Sequence, residues 1–197
     1  MQIVVYGDFN CPFSCLASAR VDRIIQQGRA DVQWRAVEHD PDISVPSPVL
    51  SGEAAAMFDR EIAEVLALVQ PGEACPIRRP RVRANTAATI AGFGSALPAD
   101  ADRVRRGLFA AYWAEGADIA DPAELAALGV GTTTGADMVV AQWREAWVGL
   151  GHTIVPMLVL PDGYVSRGLG ALQRLAGLAT GSHPREAPPP AGCQVTH

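Results

Sequence analysis

The apolar positions of this chain change period along its length, and the changes mark its elements. Residues 2–6, QIVVY, are β-formers without polar alternation, the pattern of a strand covered on both faces. From Pro12 to about Gln27 the period becomes helical, with Leu16, Ala19, Val21, Ile24 and Ile25 on one side. Asn10 or Cys11 stands where an N-cap belongs, Pro12 takes the first helical position, and Gly28 stops the helix. Residues 31–37, DVQWRAV, alternate, with Val32, Trp34 and Ala36 on one face of a second strand. Strand, helix, strand in that order predicts two parallel strands.

A polar, proline-bearing link, HDPDISVPSP, then leads into about a hundred residues of helical pattern. SGEAAAMFDREIAEVLALVQ has Ser51 as its cap, a second helix starts near Asn85, and PADADRVRRGLFAAYWAEG and DPAELAALG follow. A last helix runs from Thr134 to about Val148, with Val139, Val140, Trp143, Ala146 and Trp147 in its pattern. Strand signals return in TIVPMLVL, a turn at PDG, a short YVSRG, and an amphipathic LGALQRLAGLA. The fold class is α/β: a thioredoxin fold, β-α-β … β-β-α, interrupted by an all-helical insertion of four or five helices. The expected divisions are 1–45 for the first half, 50–148 for the insertion, 150–179 for the second half and 180–197 for a proline-rich tail.

Composition narrows the chemistry. A net charge of -5 argues against nucleic acid as partner. All 16 basic residues are arginine, so no lysine base or Schiff base is available. No window approaches a membrane span. The opening MQIVVYGDF has neither a basic n-region nor a small-residue cleavage site, so a cytoplasmic protein is expected. In a reducing compartment, the close pair Cys11 and Cys15 suggests redox or metal chemistry, while Cys75 reads as a small buried hydrophobe.

Cys11 directly precedes a helix, where unpaired amides and the helix dipole favour a thiolate, so an acidic, nucleophilic thiol is expected. Pro156 stands in a segment that otherwise reads as central sheet, where proline is poorly tolerated. A cis Val155–Pro156 bond resolves that conflict and exposes the Val155 backbone to a bound thiol compound or peptide.

The strand followed by FNCPFSCLAS, the stretches RANTAATIAG and GLFAAYWAEGADIADPAEL, and the closing TIVPMLVLPDGYVSRGLGALQRL resemble the DsbA-like superfamily. Within it the chain is similar to the FrnE-type cytoplasmic oxidoreductases and to the branch of kappa-class glutathione transferases and 2-hydroxychromene-2-carboxylate isomerases. The resemblance covers nearly everything to about residue 180 and implies an active site at Cys11 with a cis proline at Pro156. It also implies an Asn contact near the site at Asn85.

The chain departs from both branches. The first usually reads C-P-W-C and the second S-P-Y-S, whereas this chain reads C-P-F-S-C, so Cys15 falls one place late. Four helical residues separate Cα atoms by roughly 6 Å, inside the roughly 4.4–6.8 Å that disulfides tolerate, so a strained Cys11–Cys15 bridge and a monothiol Cys11 both stay open. Ser14 is positioned to donate a hydrogen bond to Cys11 in either case.

The leading function is a thiol-disulfide oxidoreductase with Cys11, Cys15 and Pro156 as catalytic residues and Phe13, Ser14, Asn85 and Val155 as substrate contacts. The alternative is a glutathione-type thiol-dependent isomerase or transferase. A third is a soft-metal-binding or thiol-sensing protein that recruits Cys193 and His197 of the tail. No tightly bound cofactor and no resident metal are expected; a low-molecular-weight thiol such as glutathione is the expected small partner, and a homodimer stays open. The run Arg78, Arg79, Arg81 and Arg83 is read as a solvated face, with grip on a substrate carboxylate as its functional alternative. His39 and His152 are read as hydrogen-bonded structural residues. The cleft over Cys11 is expected to be mostly apolar, with Phe13 at its rim.

Overall fold

The computed structural model describes residues 1–96, 98–131 and 135–181. Strand β1 (Gln2–Gly7) is central: it pairs in parallel with β2 (Asp31–Ala36) and antiparallel with β3 (Met157–Val159), which carries β4 (Val165–Arg167) on its far edge. Both edges of β1 are therefore bonded, and Ile3 and Val5 are buried, which is why its sequence lacks polar alternation. The β2 pattern also follows its surroundings, with Trp34 and Ala36 buried on one face.

Helix α1 (Pro12–Gln26) connects β1 to β2, and α7 (Gly168–Thr180) packs along it and against β3 and β4. Leu16, Val21 and Ile24 of α1 meet Leu172 and Leu175 of α7 in one core with Ile3, Val5 and Leu158. Between β2 and β3 run α2 (Gly52–Leu68), α3 (Ala87–Gly94), α4 (Ala101–Phe109), α5 (Pro122–Ala127) and α6 (Ala136–Gly149). Helix α4 passes directly into a π-helical stretch, Ala110–Glu115, which the sequence pattern did not distinguish from α-helix.

That stretch anchors the site. Trp113 is fully buried, stacks on Phe58 of α2, and donates its indole N–H to the Phe9 carbonyl at 2.9 Å. Phe9 itself packs edge-on to Phe93 and beside Phe109, with centroids 5.5 and 5.0 Å away. The turn leading to Cys11 is thus fixed from above by three helices.

Two buried arginines fix α1 from the side. Arg20 donates to Glu73 at 2.8 Å, to the Leu68 carbonyl at 2.7 Å and to the Leu172 carbonyl at 2.9 Å. Arg105 reaches the Ser18 carbonyl at 3.0 Å, the Ser18 hydroxyl and Asp22 at 2.5 Å, with its guanidinium over the Trp34 ring. Neither arginine is distinguished in sequence from its exposed neighbours.

Two helix starts differ from expectation. Ser51 occupies the N-cap of α2 but makes no capping bond through its side chain. The helix expected near Asn85 begins at Ala87, because Asn85 Oδ1 accepts from the Ala87 amide at 3.1 Å and holds the preceding residues in a turn. The start of the last insertion helix at Thr134, and the tail from residue 182 on, lie outside the described residues.

Gly7 is the point of closest approach between β1 and the helices. A Cβ there would run into the Trp34 ring and come within 3.2 Å of Ser14 Oγ. Gly7→Ala is expected to cost about 1–3 kcal/mol through overpacking. Thermal denaturation should show this as a Tm about 5 °C lower.

Candidate active site

Cys11 is the N-cap of α1, in extended conformation with φ -97° and ψ 120°, and its carbonyl accepts the Cys15 amide at 3.1 Å. Pro12 follows as the first helical residue. The Cys11 sulfur approaches the Val155 carbonyl at 4.0 Å, and the Val155–Pro156 peptide bond is cis. Because Pro156 lies immediately before β3, its missing N–H takes nothing from the ladder. Tyr6, Val37, Trp147 and Met157 pack with Cys11 and Val155 in a small apolar cluster.

A cleft of about 250 Å³ opens over the sulfur. Helix α2 roofs it with Met57, Phe58 and Glu61; Asn10 and Phe13 flank Cys11; Thr153, Ile154 and Val155 form the opposite wall; and His39 and Arg83 add positive charge. The apolar lining matches expectation; of the charged groups, Arg83 has a carboxylate grip as its alternative reading, while His39 and Glu61 are not placed here by the sequence.

Behind the cleft, the fully buried Asp8 organises His39. Its Oδ2 accepts from the His39 backbone amide at 2.9 Å and lies 2.8 Å from His39 Nδ1. Burial opposes the imidazolium, but the Asp8 hydrogen bond and the charges of Asp8 and Asp40 prevail, and His39 titrates above its usual 6.5. The pair therefore stabilises the fold below that range and loses its contribution as pH rises through the raised value. Burial also lifts the Glu61 carboxyl above its ordinary range, opposed by the charges of Arg83 and His39. Asn10 Nδ2 donates to the Ala84 carbonyl at 2.9 Å, which turns the buried Asn10 Oδ1 away without a partner among the described residues.

A family model for the DSBA-like thioredoxin domain matches residues 2–143. The chain belongs to that family. Three solved structures share the DsbA-like fold. A 2-hydroxychromene-2-carboxylate isomerase aligns with a TM-score of 0.65 and 20% identity, covering 92% of this chain and 94% of its own. The cytosolic disulfide reductase DsbM from Pseudomonas aeruginosa, in a structure with GSH, aligns with a TM-score of 0.65 and 16% identity over 91% of this chain and 96% of its own. A probable DsbA oxidoreductase from Streptomyces coelicolor gives a TM-score of 0.65 and 20% identity over 100% of both chains. A search of curated proteins finds no match.

In this DsbA-like domain the expected site residues divide into two groups. Cys11, Phe13 and Val155 line one cleft, Pro156 adjoins it, and Ser14 lies beneath, fully buried, with its hydroxyl accepting from the Asp8 amide at 3.3 Å. Cys15 lines a different cavity, which it shares with Cys75, and all three described cysteines are free. Of the two readings left open for Cys15, a bridge to Cys11 or a place beneath a monothiol site, the structure fits the second: Cys15 packs in the main core, whereas Cys11 belongs to the smaller cluster around Val155. Cys75 is half-buried and packs against the main core, in keeping with its reading as a small hydrophobe, and it also lines the cavity that Cys15 reaches. Asn85 does not line the cleft; its amide donates to the Ile43 carbonyl at 2.7 Å and ties the 43–47 loop to α3. Of the arginine run, only Arg83 reaches the cleft, where it pairs with Asp40 at 2.5 Å, while Arg79 pairs with the exposed Asp59. Cys193 and His197 lie outside the described residues, and no cluster of three metal-ligating side chains occurs among those described.

Asp8, Asn10, His39 and Glu61 were missed as site residues. Asp8 and Asn10 carried a readable signal, as polar residues in GDFN between a buried strand and a buried helix. Nothing local marked His39 or Glu61, because both join the site through tertiary packing.

The expectation of an acidic Cys11 is reversed. Burial pushes its thiol up to about 11, against hydrogen bonds from the Ser14 hydroxyl and the Ser14 and Phe13 amides; the Asp8 charge adds to the rise. The helix-start amides are present, but Cys11 is only 7% exposed and packs in an apolar cluster. Carbamidomethylation mapped to Cys11 should accelerate about tenfold per pH unit from pH 8 to 10 without a plateau. A plateau below pH 8 would contradict this reading of the site.

Proposed function

We propose that the protein is a monothiol oxidoreductase that exchanges Cys11 with disulfides of low-molecular-weight thiols such as glutathione. The observation that carries this reading is the position of Cys11 Sγ, at the head of α1, against the Val155 carbonyl and beneath a cleft of about 250 Å³. That volume suits a small ligand rather than a folded protein segment. Arg83 offers a cation to a carboxylate, and the unpaired Asn10 Oδ1 offers an acceptor to an amide or ammonium N–H. A peptidic thiol carries all of these groups.

In the forward step the Cys11 proton passes to His39, whose raised basicity is maintained by Asp8. The Cys11 thiolate attacks one sulfur of RS–SR, the S–S bond breaks, and RS⁻ leaves and takes up a proton. A second small thiol then attacks the Cys11–S–SR bond, releases RS–SR and restores Cys11. The approach of Cys15 to Cys75 supports this route over an internal Cys11–Cys15 disulfide. The family resemblance supports action in the cytoplasm; no helix among the described residues is long and apolar enough to cross a membrane.

One observation favours a second reading. A thiol held neutral to about 11 is a hydrogen-bond donor, and with Ser14 beside it Cys11 could hold the thiolate of a glutathione-type cofactor in an isomerase or transferase. The two readings part at Cys11→Ser, since a hydroxyl keeps the donor and loses the nucleophile.

The test is incubation of the reduced protein with oxidised glutathione, followed by mass spectrometry of mapped peptides. The expected result is a glutathione adduct on Cys11 that free glutathione removes. Absence of any adduct on Cys11 while the folded protein remains intact would overturn the oxidoreductase reading.

A further inference from the structure

The geometry points to a second thiol site: Cys75 and Cys15 form a dithiol, separate from the Cys11 cleft, that small-molecule disulfides oxidise to an internal disulfide. The two cysteines stand 60 positions apart in sequence, yet they line one cavity of about 340 Å³ between α1 and the segment following α2. Gly72, Ala74 and Pro76 form the outer wall of that cavity, while Arg23 and Arg106 carry positive charge at it. Both cations are shared with the protein's own carboxylates, Arg106 with the cavity-lining Asp22 at 3.4 Å and Arg23 with Glu73 at 4.0 Å, so the cavity admits a small disulfide without selecting strongly for its charge.

The pair is asymmetric in the way exchange requires. Cys75 is half-buried and Cys15 is only 7% exposed, so an incoming disulfide meets Cys75 first. The neighbouring Cys15 thiol lowers the Cys75 thiol, with help from the Arg20 charge, against burial and the charge of Glu73. The same neighbour, together with burial, raises Cys15. The accessible thiol is thus the better anion, and the buried one is protected until the first bond has formed.

The steps balance. The Cys75 thiolate attacks RS–SR, giving Cys75–S–SR and RS⁻, which takes up a proton. Deprotonated Cys15 then attacks the Cys75 sulfur, and the second RS⁻ leaves. The net change is two protein thiols oxidised to one disulfide and RS–SR reduced to two RSH, with no other oxidant. The segment from Val69 to Arg83 carries Arg83 into the Cys11 cleft, so the disulfide ties the arginine-bearing wall of that cleft to α1.

The experiment uses Cys11→Ser/Cys193→Ser protein, in which Cys15 and Cys75 are the remaining thiols. Oxidised glutathione is the probe, and tryptic peptides are read by mass spectrometry without reduction. The expected product joins peptide 1–20 to peptide 61–78, with both thiols lost to a thiol reagent and both recovered on reduction. A Cys75→Ala change in the same background should abolish the link and leave Cys15 unmodified. A stable glutathione adduct on Cys75 without the link, an adduct on Cys15 alone, or no reaction in the folded protein would each overturn the proposal. Since Cys11 is absent here, the outcome is independent of the Cys11 reading.

Discussion

Cys11→Ser is expected to lower kcat/KM for glutathione-dependent reduction of a small disulfide by about a thousandfold or more, the scale on which loss of a nucleophile is felt. Serine has similar size but no accessible anion near neutral pH, so the attack on sulfur has no substitute. The fold should be unaffected. The Cys11 sulfur has the Val155 carbonyl at 4.0 Å and the Ser14 and Phe13 donors as polar neighbours, all of which a hydroxyl can also meet, so the stability change should be about 1 kcal/mol. Cys15→Ala should leave turnover within about threefold, because a small thiol rather than Cys15 completes the monothiol cycle. The wild-type profile should rise with pH through a value above 6.5 as His39 loses its proton and becomes a base. His39→Ala should remove that limb. Retention of activity within tenfold in Cys11→Ser would end the oxidoreductase reading.

Arg20→Met is expected to be the most damaging single change to stability. The side chains of Arg20 and Glu73 are 3% and 1% exposed, and Arg20 also satisfies the last-turn carbonyl of α2 at Leu68 and the Leu172 carbonyl of α7. Burial works against the Glu73 carboxylate, but the Arg20 hydrogen bond, the Gln70 amide and the charges of Arg20 and Arg23 lower its proton affinity below the usual 4.5. Removing the guanidinium leaves two carbonyls without their donor and a buried carboxylate held only by the Gln70 amide and the more distant Arg23, a loss of about 3–5 kcal/mol. For a chain of this size that is a fall of about 10 °C in Tm. The native pair contributes above the unfolded carboxylate value and loses its contribution as pH falls through the lower folded value. The deficit of Arg20→Met should therefore shrink below about pH 4.5, where Glu73 protonates in the variant. A deficit that stays constant into acid would show that Arg20 acts by packing rather than by charge.

The order of elements in this chain is legible from local pattern. β1 is apolar throughout because it is the central strand, and α1 has Pro12 and Gly28 at its ends because the backbone there requires them. Cys11 and Pro156 were legible for the same reason: each stands at an element boundary, where one residue's chemistry meets a fixed backbone geometry. The sulfur's environment was not legible. Its apolar neighbours Tyr6, Val37, Trp147 and Met157 come from β1, the end of β2, α6 and β3, and their burial overrides the helix-start effect that sequence alone predicts.

The amino-acid order by itself thus determined the α/β class, the interrupted β-α-β and β-β-α halves, and the cysteine at the head of the first helix. Tertiary structure alone decided that Cys15 faces Cys75, that His39 leans on Asp8 beside the cleft, and that one arginine of four reaches it. The physical reason is range. Periodicity, caps and turns are set by neighbours within a few residues, whereas burial and charge are summed over whatever the folded chain brings near.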